Sequence, residues 1–309
     1  LVRSRGLGDV YKRQFQVKNM NIMRRQSTGV IFISGPTGSG KSTTLKVALE
    51  KTGQDRKWKV KIVTIEDPPE FPIKNSWQMP IESGDSPQLK QEAFTRAMGS
   101  MLRMAPHIGM VGEVRDAIGA RLTYEMAKTG HLVWGTVHAN SAPEIITRVK
   151  GFNIDLNDLR DVNLMRGLIA QRLLKKVCPH CSYNFNDVLK GKVKDKAGKK
   201  VEAEEHIVEW FSKIPEKIRQ RVKMVNTYGC DECNKNGQSN EGYAGRTLVA
   251  EVIVPNREFL EGMIEGEHEQ AKKAWFKQPN SSSMLEHAFI RCLRGEIDPH
   301  DMNLAGDIT

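Results

Sequence analysis

The chain has 309 residues, with 47 Lys+Arg against 37 Asp+Glu and a formal charge of +10. Its 27% charged and 39% hydrophobic content is ordinary for a globular protein and excludes a disordered or fibrous one. No apolar run approaches the roughly 18 residues that cross a bilayer, and five cysteines are too few for a secreted disulfide scaffold. The length suggests roughly two domains, and the basic excess points to nucleic acid, anionic lipid or an acidic partner according to where it sits.

Residues 1–25 hold seven Lys/Arg and one acid, Asp9, so they contribute +6. Residues 182–229 hold eleven Lys/Arg and seven Asp/Glu, contributing +4, and the other 236 residues are neutral in sum. The basic excess of the whole chain is therefore no evidence for a nucleic-acid-binding surface on the body of the protein, and no specific nucleic-acid partner is expected. Residues 1–14 have no start Met, no apolar periodicity and no signal-peptide core. They resemble translated adapter read-through, with a solvated basic tail as the alternative, and residues 1–28 are expected to be a non-native or linker segment.

From Gly29 onward, strands and helices alternate in the manner of a largely parallel α/β domain. Residues 30–34 form a short apolar strand, and a helix begins at Lys41 after a glycine-rich turn. A second strand, 60–65, ends in Asp67-Pro68-Pro69. Residues 91–103 place Phe94, Ala97, Met98, Met101 and Leu102 on one helical stripe. Residues 108–111 and 132–137 read as buried strands. Residues 156–177 are expected to be helical, with Leu159, Val162, Leu168, Ile169 and Leu173 apolar. A lysine-rich loop, 190–200, is inserted between two cysteine pairs. One more strand, 247–254, precedes a mostly helical tail. The expected division is an α/β core at 29–177, a cysteine module at 178–245, and a final strand with a helical C-terminal part at 246–309.

Gly35-Pro36-Thr37-Gly38-Ser39-Gly40-Lys41-Ser42 fits G-x-x-x-x-G-K-[ST] between an apolar strand and a helix. Such a loop turns backbone N–H groups inward around a β-phosphate, where the helix N-terminus adds its positive dipole end. Lys41 is placed to reach the β- and γ-phosphates of ATP, and the Ser42 hydroxyl to ligate Mg²⁺. Hydrolysis needs a group to orient water, and the strand 108–111 runs into Glu113 at the edge where open α/β sheets place ligands. Glu66, Asp67 and Glu70 close the preceding strand and are placed to hold Mg²⁺ through water; a proline-rich turn with solvated acids is the alternative. His131 and His138 lie at the two ends of one short strand. A γ-phosphate-sensing role competes there with the structural role of most lone histidines.

Cys178-x-x-Cys181 and Cys230-x-x-Cys233 are separated by 48 residues, longer than a compact zinc ribbon. Four thiolates in two such pairs make a closed, structural Zn²⁺ site with no open position for catalysis. Unpaired buried thiols or a redox pair are the alternatives, and Cys292 reads as a core thiol. The lysine-rich loop offers a contact for anionic lipid or an acidic partner, against a plain solvated loop.

GPTGSGKST, TIEDPPEF, VGEVRD, TGHLVWGTVHANSA, LIAQRL and the cysteine pairs ending in GYAGR occur in this order. Together they resemble the secretion and pilus-assembly ATPases of type II secretion, type IV pili and conjugative pili, over residues 29 to the C-terminus. The resemblance implies a RecA-like P-loop NTPase fold with a small zinc-binding insertion. It also implies a ring homo-hexamer that is cytoplasmic, peripheral to the inner membrane, and drives an inner-membrane platform protein by ATP hydrolysis. By motif, Lys41, Ser42 and Thr43 match the Walker A box, and Glu66, Asp67 and Glu70 the Asp box. Glu113 matches the catalytic glutamate of the Walker B box, and His131 and His138 the His box. The zinc module points to secretion and extension ATPases rather than retraction ones.

Two departures stand out. The family's Asp-Pro-Asp before the Walker B strand is Ala105-Pro106-His107 here, although Arg103 is retained. The family also carries a PAS-like domain ahead of the P-loop, which brings arginines to a neighbouring subunit's nucleotide. Only 14 residues (15–28) lie between the suspect opening and Gly29, so the sequence reads as an N-terminally truncated chain that binds ATP·Mg²⁺, turns it over poorly and hexamerises weakly. A DNA-dependent RecA-like translocase and an interaction module with a relict P-loop are the competing classes. The Asp and His boxes speak against the first, and Lys41 together with Glu113 against the second.

Overall fold

The structure is a computed structural model, described for residues 13–81, 86–234 and 241–306. The expectation that residues 1–14 are not native falls almost wholly outside the described residues. Residues 13–28 are not a linker. Arg13–Arg24 forms helix α1, whose Met23 is fully buried and whose Asn19 side chain donates to Val252 O at 2.9 Å.

Five strands follow, β1 (Gly29–Ser34), β2 (Ile62–Glu66), β3 (Ser76–Pro80), β4 (Ile108–Val111) and β5 (Leu132–Val137), interleaved with helices α2 (Lys41–Asp55), α3 (Pro87–Arg103) and α4 (Ala117–Lys128). β1, β2, β4 and β5 are buried along their whole lengths, as continuous apolar runs in a parallel sheet covered on both faces should be. β3 carries no such run. It is a partly exposed edge strand ending in Pro80, a position a sheet tolerates for proline, and the sequence does not announce it.

Beyond β5 the chain forms α5 (Glu144–Lys150), α6 (Leu156–Arg160) and β6 (Met165–Val177). The expected helix over 156–177 is thus one short helix and a 13-residue strand. The apolar residues there do recur at helical spacing, but β1 has an open edge. β6 fills it in parallel register, Ile31 opposite Gly167 and Ser34 opposite Ala170, which satisfies backbone groups that burial would otherwise orphan. Gly167 also faces α1, because a Cβ there would lie 2.5 Å from Met23 Sδ.

The remaining elements are β7 (Tyr183–Asn184), α7 (Phe185–Leu189), α8 (Glu205–Ser212), α9 (Glu216–Arg219), β8 (Lys223–Met224), β9 (Tyr243–Ile253), α10 (Arg257–Glu265), α11 (His268–Lys277), α12 (Met284–Leu293) and a final 3₁₀ turn, His300–Ala305. Among the described residues the main sheet has seven strands in the order β3-β2-β4-β5-β1-β6-β9, and β7 pairs with β8 separately. β3, β2, β4, β5, β1 and β6 all run parallel, so their C-terminal ends share one edge.

The chain divides into two compact units. The first is Leu1–Gln171 with Ala250–Ser282. Its core joins Ile31, Ile33, Leu49, Ile62, Met110 and Trp134, and Lys150 ties α5 to the end of α10 through Ile264 O at 2.7 Å. The second is Arg172–Val249 with Ser283–Thr309, centred on the rings of Phe185, Trp210, Phe211 and Phe289. The C-terminal part expected as one piece over 246–309 is accordingly shared between the units.

Candidate functional site

The loop from Gly35 to Gly40 leaves β1 at the C-terminal sheet edge and enters α2 with Gly40 as its N-cap, in the left-handed region at φ 85°. Gly35 has φ 144°, and a Cβ there would lie 2.3 Å from Gln171 O, so only glycine fits. Pro36, Thr37 and Gly38 form an exposed mouth, Ser39 is buried, Lys41 and Ser42 are half-buried, and Thr43 is exposed on the first turn of α2. Lys41 Nζ donates to Gly35 O at 2.8 Å and Pro36 O at 3.0 Å. Burial lowers the pKa of this ammonium; the charges of Glu113 and Glu70 oppose the shift without cancelling it. Those two carboxylates therefore act on the lysine although they come from other segments.

Glu113 lies just past β4, two strands from β1, or about 10 Å across the sheet. Its Oε1 is 2.8 Å from His138 Nε2 and its Oε2 is 2.7 Å from Arg115 Nη2. Burial pushes its carboxyl upward in pKa, but the Arg115 hydrogen bond and charge, with His138, outweigh it and hold it below the usual carboxylate range. It stays ionised, and a carboxylate with ordered partners orients water well. The neighbouring Thr136 hydroxyl donates to Gly112 O, and Val114 N donates back to Thr136 O at 2.8 Å. This lacing fixes the turn that presents Glu113.

Glu66 ends β2 and is buried. Its Oε1 accepts from Thr64 Oγ1 at 2.7 Å and Gln78 Nε2 at 2.9 Å, which leaves Oε2 without a protein donor among the described residues. Asp67 and Glu70 are exposed; Asp67 lies 3.9 Å from Lys90 Nζ and precedes a cis peptide to Pro68. His138 joins the site at the C-terminal end of β5. His131 does not: it precedes the same strand at its start, roughly 20 Å away by strand rise. Its Nδ1 is 2.9 Å from Met126 O and 3.1 Å from Thr129 Oγ1. A carbonyl only accepts, so Nδ1 donates and the ring caps the end of α4. In this structure His131 therefore makes a structural contact and stands apart from Glu113 and Lys41.

In the second unit the four sulfurs of Cys178, Cys181, Cys230 and Cys233 all lie within 4.8 Å of one another. Cys178–Cys230 and Cys181–Cys233 are 3.9 Å apart and Cys230–Cys233 is 3.8 Å. A tetrahedron with Zn–S bonds of about 2.3 Å has edges of about 3.8 Å, so the residues fit the ion. Cys230 N donates to Cys233 Sγ at 3.1 Å, while backbone hydrogen bonds from Cys233 and Glu232 to its own sulfur bring the Cys230 thiol down to about 7. Cys292 lies in the core, as expected, its thiol pushed up by burial.

Comparison with known proteins identifies the group. The family model described as type II/IV secretion system protein matches residues 5–298. The chain belongs to this family. A relative named type II secretion system ATPase E, from Vibrio cholerae, is 30% identical over 249 residues, which are 81% of this chain and 42% of the relative. The type IV pilus assembly ATPase PilB of Pseudomonas aeruginosa is 34% identical over 269 residues, 85% of this chain and 41% of that one. The chain thus spans less than half the length of these curated relatives. Among solved structures, the pilus retraction motor PilT with bound ADP superposes with a TM-score of 0.59 at 25% identity, over 94% of this chain and 65% of that chain. The ATPase DotB of Legionella pneumophila shares the fold at 0.59 and 19%, over 97% and 64%.

Against this family's motifs, three partners escape a reading of the sequence. Arg115 pairs with Glu113 although nothing marks it beyond adjacency. Gln78, on the unannounced β3, buttresses Glu66. Gln171, inside LIAQRL, donates its Nε2–H to Ser39 O at 2.8 Å. Asp116, in VGEVRD, serves the fold by capping α4 through Gly119 N at 2.8 Å.

Proposed function

We propose that this chain is the motor portion of an ATPase that powers assembly of a type IV-like pilus or a type II secretion pseudopilus at the inner membrane. It acts as a ring homo-hexamer on a membrane platform protein. ATP sits with its β- and γ-phosphates in the loop 35–40, where the Gly38 and Gly40 amides and the α2 N-terminus donate to phosphate oxygens and Lys41 supplies positive charge. Glu113 accepts a hydrogen bond from the attacking water and turns its lone pair toward the γ-phosphorus, while Arg115 and His138 hold the carboxylate in place. The donor set of the Ser42 hydroxyl with Glu66, and with Asp67 and Glu70 through water, is the hard oxygen set that Mg²⁺ prefers; the ion supplies charge neutralisation on the phosphates. Zn²⁺ in the four-cysteine cluster has no open coordination position and supplies rigidity rather than chemistry.

No helix among the described residues is long and apolar enough to cross a membrane, which agrees with a motor that acts on a membrane-embedded partner. The observation that carries the reading is the ion-paired Glu113 acting on Lys41 across the same sheet edge. The test is single-turnover phosphate release from ATP·Mg²⁺ with enzyme in excess. Lys41→Ala should abolish nucleotide binding. Glu113→Gln should bind normally and release phosphate about 10²–10⁴-fold more slowly, the range for loss of a general base. Equal rates for Glu113→Gln and wild type would overturn the reading.

A further inference from the structure

Gln171 is the side chain that the proposed chemistry leaves unused although it touches the phosphate loop. It is 1% exposed, on a strand whose neighbours Leu168, Ile169 and Ala170 are apolar and buried. Its amide is only half satisfied: Nε2–H donates to Ser39 O, while Oε1 is buried with no partner. Leu or Met would fill this place without leaving a buried acceptor unpaired, which is a destabilising feature. The hydrogen bond to Ser39 is what a glutamine adds.

That bond fixes more than a carbonyl. In a planar trans peptide the C=O and the following N–H point to opposite sides. Holding Ser39 C=O toward Gln171 therefore turns Gly40 N–H away from β6. Gly40 N–H has no protein acceptor among the described residues. Gly40 is in the left-handed region and carries no side chain to resist rotation of this peptide, so the plane needs an external anchor. Gly35 takes part in the same contact, since only the missing Cβ lets the loop approach Gln171 O and the Ser39 hydroxyl.

We infer that Gln171 is a positioning residue for phosphate binding: through Ser39 it presets the Gly40 amide as a donor to the nucleotide's phosphates. The inference rests on the reading of residues 35–42 as an ATP site. It predicts an effect on phosphate grip rather than on folding.

The test is fluorescence titration of the full chain with mant-ADP, for wild type, Gln171→Met and Gln171→Glu, with thermal unfolding followed in nucleotide-free protein. Gln171→Met keeps the length and removes the donor; its affinity should fall about tenfold, as for loss of one hydrogen bond, with its unfolding temperature held or raised. Gln171→Glu should bind at least as weakly as the Met variant at pH 8, where its carboxylate also repels the phosphates. At pH 5.5 its protonated carboxyl can donate to Ser39 O, so its affinity relative to wild type at the same pH should recover. If Gln171→Met does not fold, the acid variant decides through this pH-dependent ratio. Wild-type affinity in Gln171→Met, or an equal loss in Gln171→Glu at both pH values, overturns the inference while leaving the ATP site intact. Failure of wild type to bind mant-ADP overturns the ATP site and the inference together.

Discussion

The nucleotide site and the cysteine cluster were both expected from short motifs, yet they are held in different ways. The groups around Lys41 and Glu113 hang from the ends of fully buried parallel strands, so the sheet positions them before any ligand arrives. The cysteines sit on short irregular segments joined by two two-residue strands and isolated turns such as Cys233 N to Cys230 O. Backbone bonds such as Cys178 N to Gly242 O at 2.8 Å and Phe185 N to Val222 O at 3.1 Å tie those segments together, and a bound ion would add a cross-link at the four sulfurs. One site is presented by the sheet alone; the other would be completed by an ion.

The sharpest way to break that contrast is to take the metal away. Metal analysis should give one zinc per chain in protein purified without chelator. Cys178→Ser, or a strong chelator, should unfold the second unit. Apparent zinc binding energies in small structural sites run to about 10–16 kcal/mol, more than the stability of most domains. Limited proteolysis should then cut within residues 172–249, while Lys41-dependent nucleotide binding by the first unit persists. Loss of both together would show that the two sites are not separable.

Within the nucleotide site, the two histidines sharpen the comparison at a smaller scale. His138→Ala removes a partner of Glu113 and should slow single-turnover phosphate release by roughly tenfold to a hundredfold, with the unfolding temperature little changed. His131→Ala removes a helix cap and should leave the rate alone while lowering stability by about 1 kcal/mol, as capping losses do. Reversal of the two patterns would place the catalytic histidine at the wrong end of β5.

How much of this was legible depends on how local the cause is. The loop 35–42 is specified by backbone needs within eight residues, and Glu113 by an apolar strand that ends in a charge, so both could be read directly. The failure at 156–177 has the opposite origin. Leu168, Ile169 and Leu173 repeat at helical spacing, and what makes them strand is the open edge of β1, more than a hundred residues earlier in the chain. β3 escaped because an edge strand needs no apolar run. Gln171 escaped because its partner, Ser39, follows a different strand, and Arg115 because a cation two residues from Glu113 bears no local mark of pairing with it. The separation of His131 from His138 was legible after all, since an extended strand cannot bring its two ends together.

The smallest expected effect concerns a part of the second unit that serves no site. Asp301 lies beside Asp298, which is 1% exposed, and its Oδ2 is buried without a partner. Burial first, and then the Asp298 charge, push its carboxyl up to about 6 against the help of Tyr243, Lys175 and His300. An acid with a raised folded pKa binds its proton more tightly when folded, so its contribution is most favourable below about pH 4. It is lost as pH rises toward 6, and above that the ionised form opposes folding. Asp301→Asn imitates the protonated state and does not titrate. It should therefore raise the unfolding temperature of the zinc-loaded protein at pH 8, and the gain should shrink by about half at pH 5, where the folded carboxyl is mostly protonated. The group is only half-buried and water screens it, so the expected gain is about 1 kcal/mol, or a few degrees. A gain that is the same at both pH values would mean that packing, and not the pair of carboxylates, sets the strain in this turn.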